Sequence, residues 1–377
     1  MTVIKAFKAS RPTTELAPQV AAHPYDVLNR KEAKEQGSQN SFLHISRAEI
    51  DLPDTITDYD PQVYQQAKQN FDTFVAKGIL QQDATDCLYL YAQTMNGRQQ
   101  IGIVALTSTE DYENDTIKKH EFTRPEKEQD RINHIKTTGA QTGNVFLAYR
   151  NVAALDEIVE KCVLTKTAVY NFIADDGIEH AVWIINDTDA INEITNIFEE
   201  EVPCTYIADG HHRAASAAKV RKALGGNVSA AANYFLTTLF PASQLQIMDY
   251  NRVVKTLNGL SVTEFLIAIA QDFTVEEKGT EAYKPKQLHE FGFYADNTWY
   301  KLIAKPGTYT EDPIGVLDVT ILQNNILGKL LNIHDQRTDK NIDFVGGIRG
   351  LGELEKRVNS GEMAAAFSLF PVIIEQL

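Results

Sequence analysis

The chain has 377 residues, 43% hydrophobic and 23% charged, with a formal charge of −15. This is the composition of a folded globular protein, too long for one ordinary core, so two or three domains are expected. So acidic a surface argues against nucleic acid as the main partner, while leaving room for a local cationic pocket that takes a small anion.

In chain order, Pro24 of "HPYDVLNRKEAKEQGSQNSF" sets a turn or extended segment before a charged helix. "SFLHISRAEIDL" reads as a strand, and "DPQVYQQAKQNFDTFVAKGIL" as an amphipathic helix with Pro61 near its start and Gly78 past its end. Two apolar runs around Asn96-Gly97, in "CLYLYAQTMNGRQQIGIVALTS", give the clearest β-hairpin. Pro125 begins a charged helix that ends near Gly139. Then "NVFLAYR" is a strand, "VAALDEIVEKCV" a helix, "EHAVWIIND" a strand, "DAINEITNIFEEE" an acidic helix and "CTYIADG" a strand. That alternation predicts a mixed α/β fold.

Beyond it, "NYFLTTLFPASQLQIMDYNRVV" gives two strands around Pro241, "SVTEFLIAIAQDF" a helix, and "FGFYADNTWYKLIA" a hairpin turning at Asp296-Asn297. "GVLDVTILQNNILGKLLNI" reads as an apolar helix, "DFVGGIRGLGELEKRVNSG" as strand, glycine turn and helix, and "MAAAFSLFPV" as a last strand. Boundaries are placed near residues 108 and 250, giving regions 1–108, 109–250 and 251–377.

No apolar run nears roughly 18 residues, so no membrane span is expected. The start, "MTVIKAFKASRPTTELAP", lacks the apolar stretch of a signal peptide. Cys87, Cys162 and Cys204 are odd in number and form no C-x-x-C pair, which reads as reduced core cysteine and a cytoplasmic protein.

The densest chemistry is in "YIADGHHRAASAA", residues 206–218. A strand delivers Asp209 to the expected N-cap of a helix closed by Gly225-Gly226, with Gly210 in the first turn. Free amides and the helix dipole at such a start attract an anion, and the Arg213 fork suits phosphate. The Asp209 carboxylate would repel that anion unless Mg²⁺ stood between them, an ordinary arrangement for nucleotide phosphates. Adjacent His211 and His212 point about 100° apart on a helix, so they do not chelate one metal as an i, i+4 pair does. A plain cap and a core histidine would explain the same residues without a ligand.

Three weaker clusters accompany this one. "IKKHEFTRP" (117–125) holds His120 and Glu121, whose carboxylate could serve as a general base; a solvated charged loop is the plainer reading. "HPYDV" (23–27) offers Tyr25 and Asp26 to a ligand or merely closes a turn. "DFVGGIRG" (343–350) could cradle an anion with Arg349, yet has neither the Walker nor the Rossmann glycine spacing, and a tight turn before a helix suffices. There is no G-x-S-x-G nucleophile elbow.

The segments "HPYDV", "HEFT", "ADGHHR", "QIMDYNRVV", "RTDKNIDFVGGIRG" and "SGEMAAAF" stand in the order seen in a bacterial and archaeal family of unknown function marked by an A-D-G-H-H-R box, and the chain resembles it over most of its length. Two of the segments also resemble the free-serine kinases of the ParB/sulfiredoxin-like fold. That resemblance implies a nucleotide-phosphate site from Asp209, Gly210, His211, His212 and Arg213, with Glu121 as catalytic base beside His120. It also implies a nucleotide as phosphoryl donor and free L-serine as acceptor. Together with the residue readings above, ATP is expected as the donor and Mg²⁺ at Asp209, with Tyr25, Asp26 and Arg349 as candidate substrate contacts and a homodimer as the candidate assembly. Both families continue past the "GEMAAAF" strand into a Pro-, Lys-, Ser- and Thr-rich segment expected to help hold substrate, whereas this sequence stops at "FPVIIEQL". Two rivals remain: a ParB-type module that binds nucleotide as a switch without catalysis, and a metal-dependent hydrolase with further ligands unassigned.

Overall fold

In the computed structural model, residues 1–120, 123–225, 230–336 and 338–372 are described. The chain divides into two compact units, Met1–Leu245 and Gln246–Leu377.

The first unit opens with β1 (Ile4–Lys5), β2 (Ser10–Pro12), α1 (Ala17–Val20), α2 (Arg30–Gln36), α3 (Leu43–Ser46) and α4 (Pro61–Ala76). It continues with β3 (Leu80–Gln82), β4 (Leu88–Met95), β5 (Arg98–Ser108), α5 (Thr109–Glu113), β6 (Ile117–Lys118), α6 (Pro125–Thr138) and β7 (Val145–Tyr149). Then come α7 (Ala153–Thr165), β8 (Tyr170–Ile173), β9 (Glu179–Ile185), α8 (Thr188–Glu201), β10 (Thr205–Asp209), α9 (His211–Leu224) and β11 (Tyr234–Pro241).

Local chemistry accounts for several of these. Asn96 and Gly97, both at positive φ, turn the β4–β5 hairpin as its sequence predicts. The Asp60 carboxylate caps α4, Pro61 opens it, and its face of Val63, Tyr64, Ala67 and Phe74 is buried. Gly139, left-handed at φ 68°, closes α6.

The main sheet runs β6-β10-β7-β11-β5-β4-β9-β8, with β1 beside β5. It is mixed: β10–β6 and β11–β7 are parallel and the other pairs antiparallel. Residue 108, where the sequence suggests a boundary, ends β5, a strand hydrogen-bonded on both sides within this sheet.

Leu155 of α7 and Phe198 of α8 share one core with Leu90, Leu147 and Leu239 of the strands. Each fully buried side chain of this size contributes about 1.5–3 kcal/mol. Ala214 and Ala217 of α9 join that core, α6 packs on α9, and α4 packs on α6. Every residue from Ala214 to Ala218 is buried, so the alanines of the sequence let α9 fit between the sheet and α6.

Two sequence expectations are corrected. Residues 43–46 and 48–51 are helical turns, not a strand. Leu43, Ile45 and Ala48 are buried in them, and α3 packs on α4; a few apolar residues so close together fit either period. The apolar stretch 315–333 is no single helix: α11 (Asp318–Leu322) is followed by a wider π-turn over 323–328.

In chain order the second unit has β12 (Tyr250–Val254), α10 (Val262–Ile269), β13 (Phe273–Gly279), β14 (Glu290–Ala295), β15 (Thr298–Ala304), α11, β16 (Ile342–Gly346), α12 (Leu351–Asn359) and β17 (Ala365–Leu369). Its antiparallel sheet runs β13-β15-β14-β17-β12-β16 over a core that includes Phe265, Phe293 and Phe367. No helix among the described residues is long and apolar enough to cross a membrane.

Candidate functional site

The site is built where β10 passes into α9. Asp209 is the last residue of β10, and Gly210, not Asp209, is the N-cap of α9. Gly210 has φ 95°, and a Cβ there would stand 3.3 Å from the Val145 Cα and 3.3 Å from the Arg213 guanidinium carbon. A residue with a side chain would be strained and crowded, so glycine makes this reversal. Among the described residues no side chain caps α9, leaving the amides of His212 and Arg213 in its first turn for another acceptor.

Asp209 does different work from the cap expected of it. Arg213 Nη2 donates to Asp209 Oδ2 at 2.5 Å, one helical turn on, and the Asp209 side chain keeps 61% of its exposure. The Arg213 side chain keeps only 13%. Its Nη1 donates to the Asn144 carbonyl, and its buried Nε has no hydrogen-bond partner among the described residues. The fork expected to meet phosphate is therefore engaged within the protein, where it aims the Asp209 carboxylate.

The chain topology brings the His-Glu segment to this joint. β6 pairs in parallel with β10, so the residues that follow β6 emerge beside those that follow β10. The His120 and His211 rings meet edge to face with centroids 4.5 Å apart. His212 Nε2 accepts the Arg124 backbone N–H at 2.9 Å. An imidazole nitrogen that accepts carries no proton, so this bond puts the His212 hydrogen on Nδ1. Glu121 lies outside the described residues.

A second tie holds the same segment. The Thr123 hydroxyl donates to Glu128 Oε2 at 2.8 Å, and Lys219 of α9 pairs with Glu128 Oε1. The Ser216 hydroxyl stands between the carbonyls of His212, at 2.6 Å, and Glu128, at 3.0 Å. Burial pushes the Glu128 carboxyl up, but Lys219 and Thr123 outweigh it and hold the group below the usual glutamate range. Sequence reasoning did not single out Glu128 or Lys219, because a charged residue on a charged helix looks solvated. Lys119 turns away to Asp115, at 2.6 Å, and to the Tyr112 ring.

The "HPYDV" segment arrives as well. Asp26 lies 3.8 Å from Arg213 Nη2. The Tyr25 ring is flanked by the Arg213 guanidinium at 6.0 Å and the Arg131 guanidinium at 3.9 Å. Burial pushes the Tyr25 phenol up to about 12. Three of the four sequence clusters thus converge. The fourth belongs to the second unit: Arg349 is exposed in a short 3₁₀ turn, and the Gly347 N–H donates to the Asp249 carbonyl at 2.7 Å. A Cβ at Gly347 would strike the Asp249 carboxylate at 2.6 Å, so close packing accounts for that glycine.

Among the described residues no three His, Cys, Asp or Glu side chains cluster to hold a metal. His212 spends Nε2 on a backbone amide, and His211 is buried against His120. The exposed Asp209 carboxylate fits an Mg²⁺ that takes most ligands from water and phosphate.

The family model described as "Protein of unknown function (DUF1015)" matches residues 4–320. No curated protein and no solved structure matches the chain. The match takes in the three converging segments, and the chain belongs to the DUF1015 family of proteins of unknown function.

Proposed function

We propose that this protein is a cytoplasmic small-molecule kinase, with a ParB/sulfiredoxin-like core, that transfers the γ-phosphoryl group of ATP to the hydroxyl of free L-serine. The observation that carries the reading is the contact between the two motifs: His120 against His211, and Arg124 hydrogen-bonded to His212. Glu121 is bracketed in the chain by those two anchors.

In this reading the amides at the start of α9 receive the nucleotide phosphates, as Gly210 allows a close approach. Asp209, aimed by Arg213, would hold Mg²⁺, which would neutralise phosphate charge. The serine hydroxyl oxygen bonds to the γ-phosphorus as the bond to the β,γ-bridging oxygen breaks, and ADP leaves. Glu121 takes the hydroxyl proton. Such transfer needs mainly positioning and charge neutralisation, so an ordinary carboxylate serves as base.

Glu121→Gln is expected to lower turnover by about 10²–10⁴ with little change in nucleotide affinity. Near-normal turnover would remove Glu121 from the mechanism. Binding of ATP or CTP with a conformational change, and no phosphorylation of any amino acid, would favour a ParB-type switch instead.

A further inference from the structure

A cavity of about 280 Å³ opens beside this site, between α6 and the helical turns of the first 64 residues. It is at or just below the small end of the range for ligand pockets, roughly 300–1,000 Å³. Tyr25 and Asp26 form part of its wall, and the same two residues face Arg213. The cavity therefore adjoins the proposed phosphate site.

Its lining carries four cationic and four acidic side chains. Most of them are occupied. Arg47 pairs with Glu49, Arg131 pairs with Asp130 at 2.6 Å, and Arg30 donates to the carbonyls of Glu49, Leu52, Pro53 and Ile56. Three groups are left loosely held. Lys127 has no ion-pair partner among the described residues. Asp58 is 3.5 Å from Arg30 and 3.9 Å from Arg47, and Asp26 is 3.8 Å from Arg213, each too far for a good hydrogen bond.

A polyphosphate would meet four carboxylates here, and a simple cation four positive charges. A small molecule bearing one charge of each sign meets neither penalty. We infer that this cavity is the acceptor pocket, selecting a free α-amino acid by pairing its carboxylate with Lys127 and its ammonium with Asp26 and Asp58. The assignment of the pocket as an acceptor site rests on the kinase reading; its preference for a zwitterion rests on the cavity alone. Lys127 acts as a specificity residue.

The test compares full-length wild type, Lys127→Met and the conservative Lys127→Arg by two readouts. One is calorimetric binding of L-serine, its methyl ester and ethanolamine; the other is steady-state phosphorylation of L-serine. The expected result is wild-type binding of L-serine that is at least tenfold tighter than binding of the ester or ethanolamine. Lys127→Met should raise the L-serine Kd and KM at least tenfold with the ATP KM unchanged, and Lys127→Arg should recover most of the loss. Wild type that phosphorylates serine while Lys127→Met keeps its serine KM overturns the pocket and leaves the kinase standing. Serine binding that depends on Lys127 without any phosphorylation keeps the pocket and overturns the kinase. Wild type that neither binds nor phosphorylates L-serine overturns both.

Discussion

His212 Nε2 accepts the Arg124 main-chain N–H at 2.9 Å, joining the ADGHHR helix to the segment that carries the His-Glu pair. In the proposed mechanism this bond would make His212 a positioning residue, because its acceptor nitrogen is occupied by backbone. His212→Ala should cost about 1 kcal/mol of stability, the usual worth of one hydrogen bond. Turnover should fall roughly 10–100-fold, since misplacing a catalytic segment by about an ångström is enough for that. Urea unfolding and steady-state kinetics on the same preparation check both. A variant with unchanged kcat would show that the tie is structural only.

Gly210→Ala tests the joint itself. The substitution puts a side chain at φ 95° and 3.3 Å from the Val145 backbone. Such strain costs about 1–3 kcal/mol. The expected outcome is a lower urea midpoint at constant m-value together with weaker ATP binding, measured by calorimetry. Full ATP affinity in a destabilised Gly210→Ala protein would move the phosphate site away from this turn.

Lys219→Met probes the ion pair with Glu128. Glu128 titrates below the usual glutamate range in the folded protein, so its contribution is present above the unfolded value and is lost as pH falls through the folded one. Without Lys219 the folded value rises towards or past the unfolded one, so that acid-dependent loss should shrink. Lys219 is 59% exposed, so the effect at neutral pH should be no more than about 1 kcal/mol. Denaturant melts at a series of pH values down to about 3, across the window below the unfolded glutamate value of about 4.3, check this.

His134, on α6 beneath the cavity, is buried with Nε2 3.0 Å from the Ile45 carbonyl, so that nitrogen donates and carries the proton. Burial, helped by nearby Arg131, lowers its pKa to about 4. Between pH 6.5 and about 4 the unfolded chain binds a proton that the folded state refuses, so stability falls as pH falls across that window. The limiting slope for one such group is about 1.4 kcal/mol per pH unit. His134→Gln can keep a donor towards Ile45 and should flatten this limb. An unchanged pH dependence would assign it to other groups.

Local signals in the sequence reach far into this fold. Asn96-Gly97 marks its hairpin, Pro61 and Gly78 bracket α4, and Gly139 closes α6, because each acts through its own backbone torsions. Residues 41–52 mislead because Leu43, Ile45 and Ala48 are too few to separate a strand period from a helical one, and packing on α4 decides. At the site, the residue types at 209–213 are legible but their partners are not. Nothing within that stretch says that Asp209 aims at Arg213 rather than capping α9. Nor does it say that Asp26, far away in the chain, would stand 3.8 Å from the same guanidinium. The His120–His211 contact likewise depends on which strands become neighbours, here β6 beside β10.

The most direct measurement follows the phosphoryl group itself. Full-length protein is incubated with ATP carrying ¹⁸O on the γ-phosphate, Mg²⁺ and a panel of free amino acids, and the products are read by mass spectrometry. The account predicts labelled O-phospho-L-serine as the main product, its formation suppressed by Glu121→Gln. Label found only in unreacted ATP or in inorganic phosphate, from protein that still binds ATP, would contradict it.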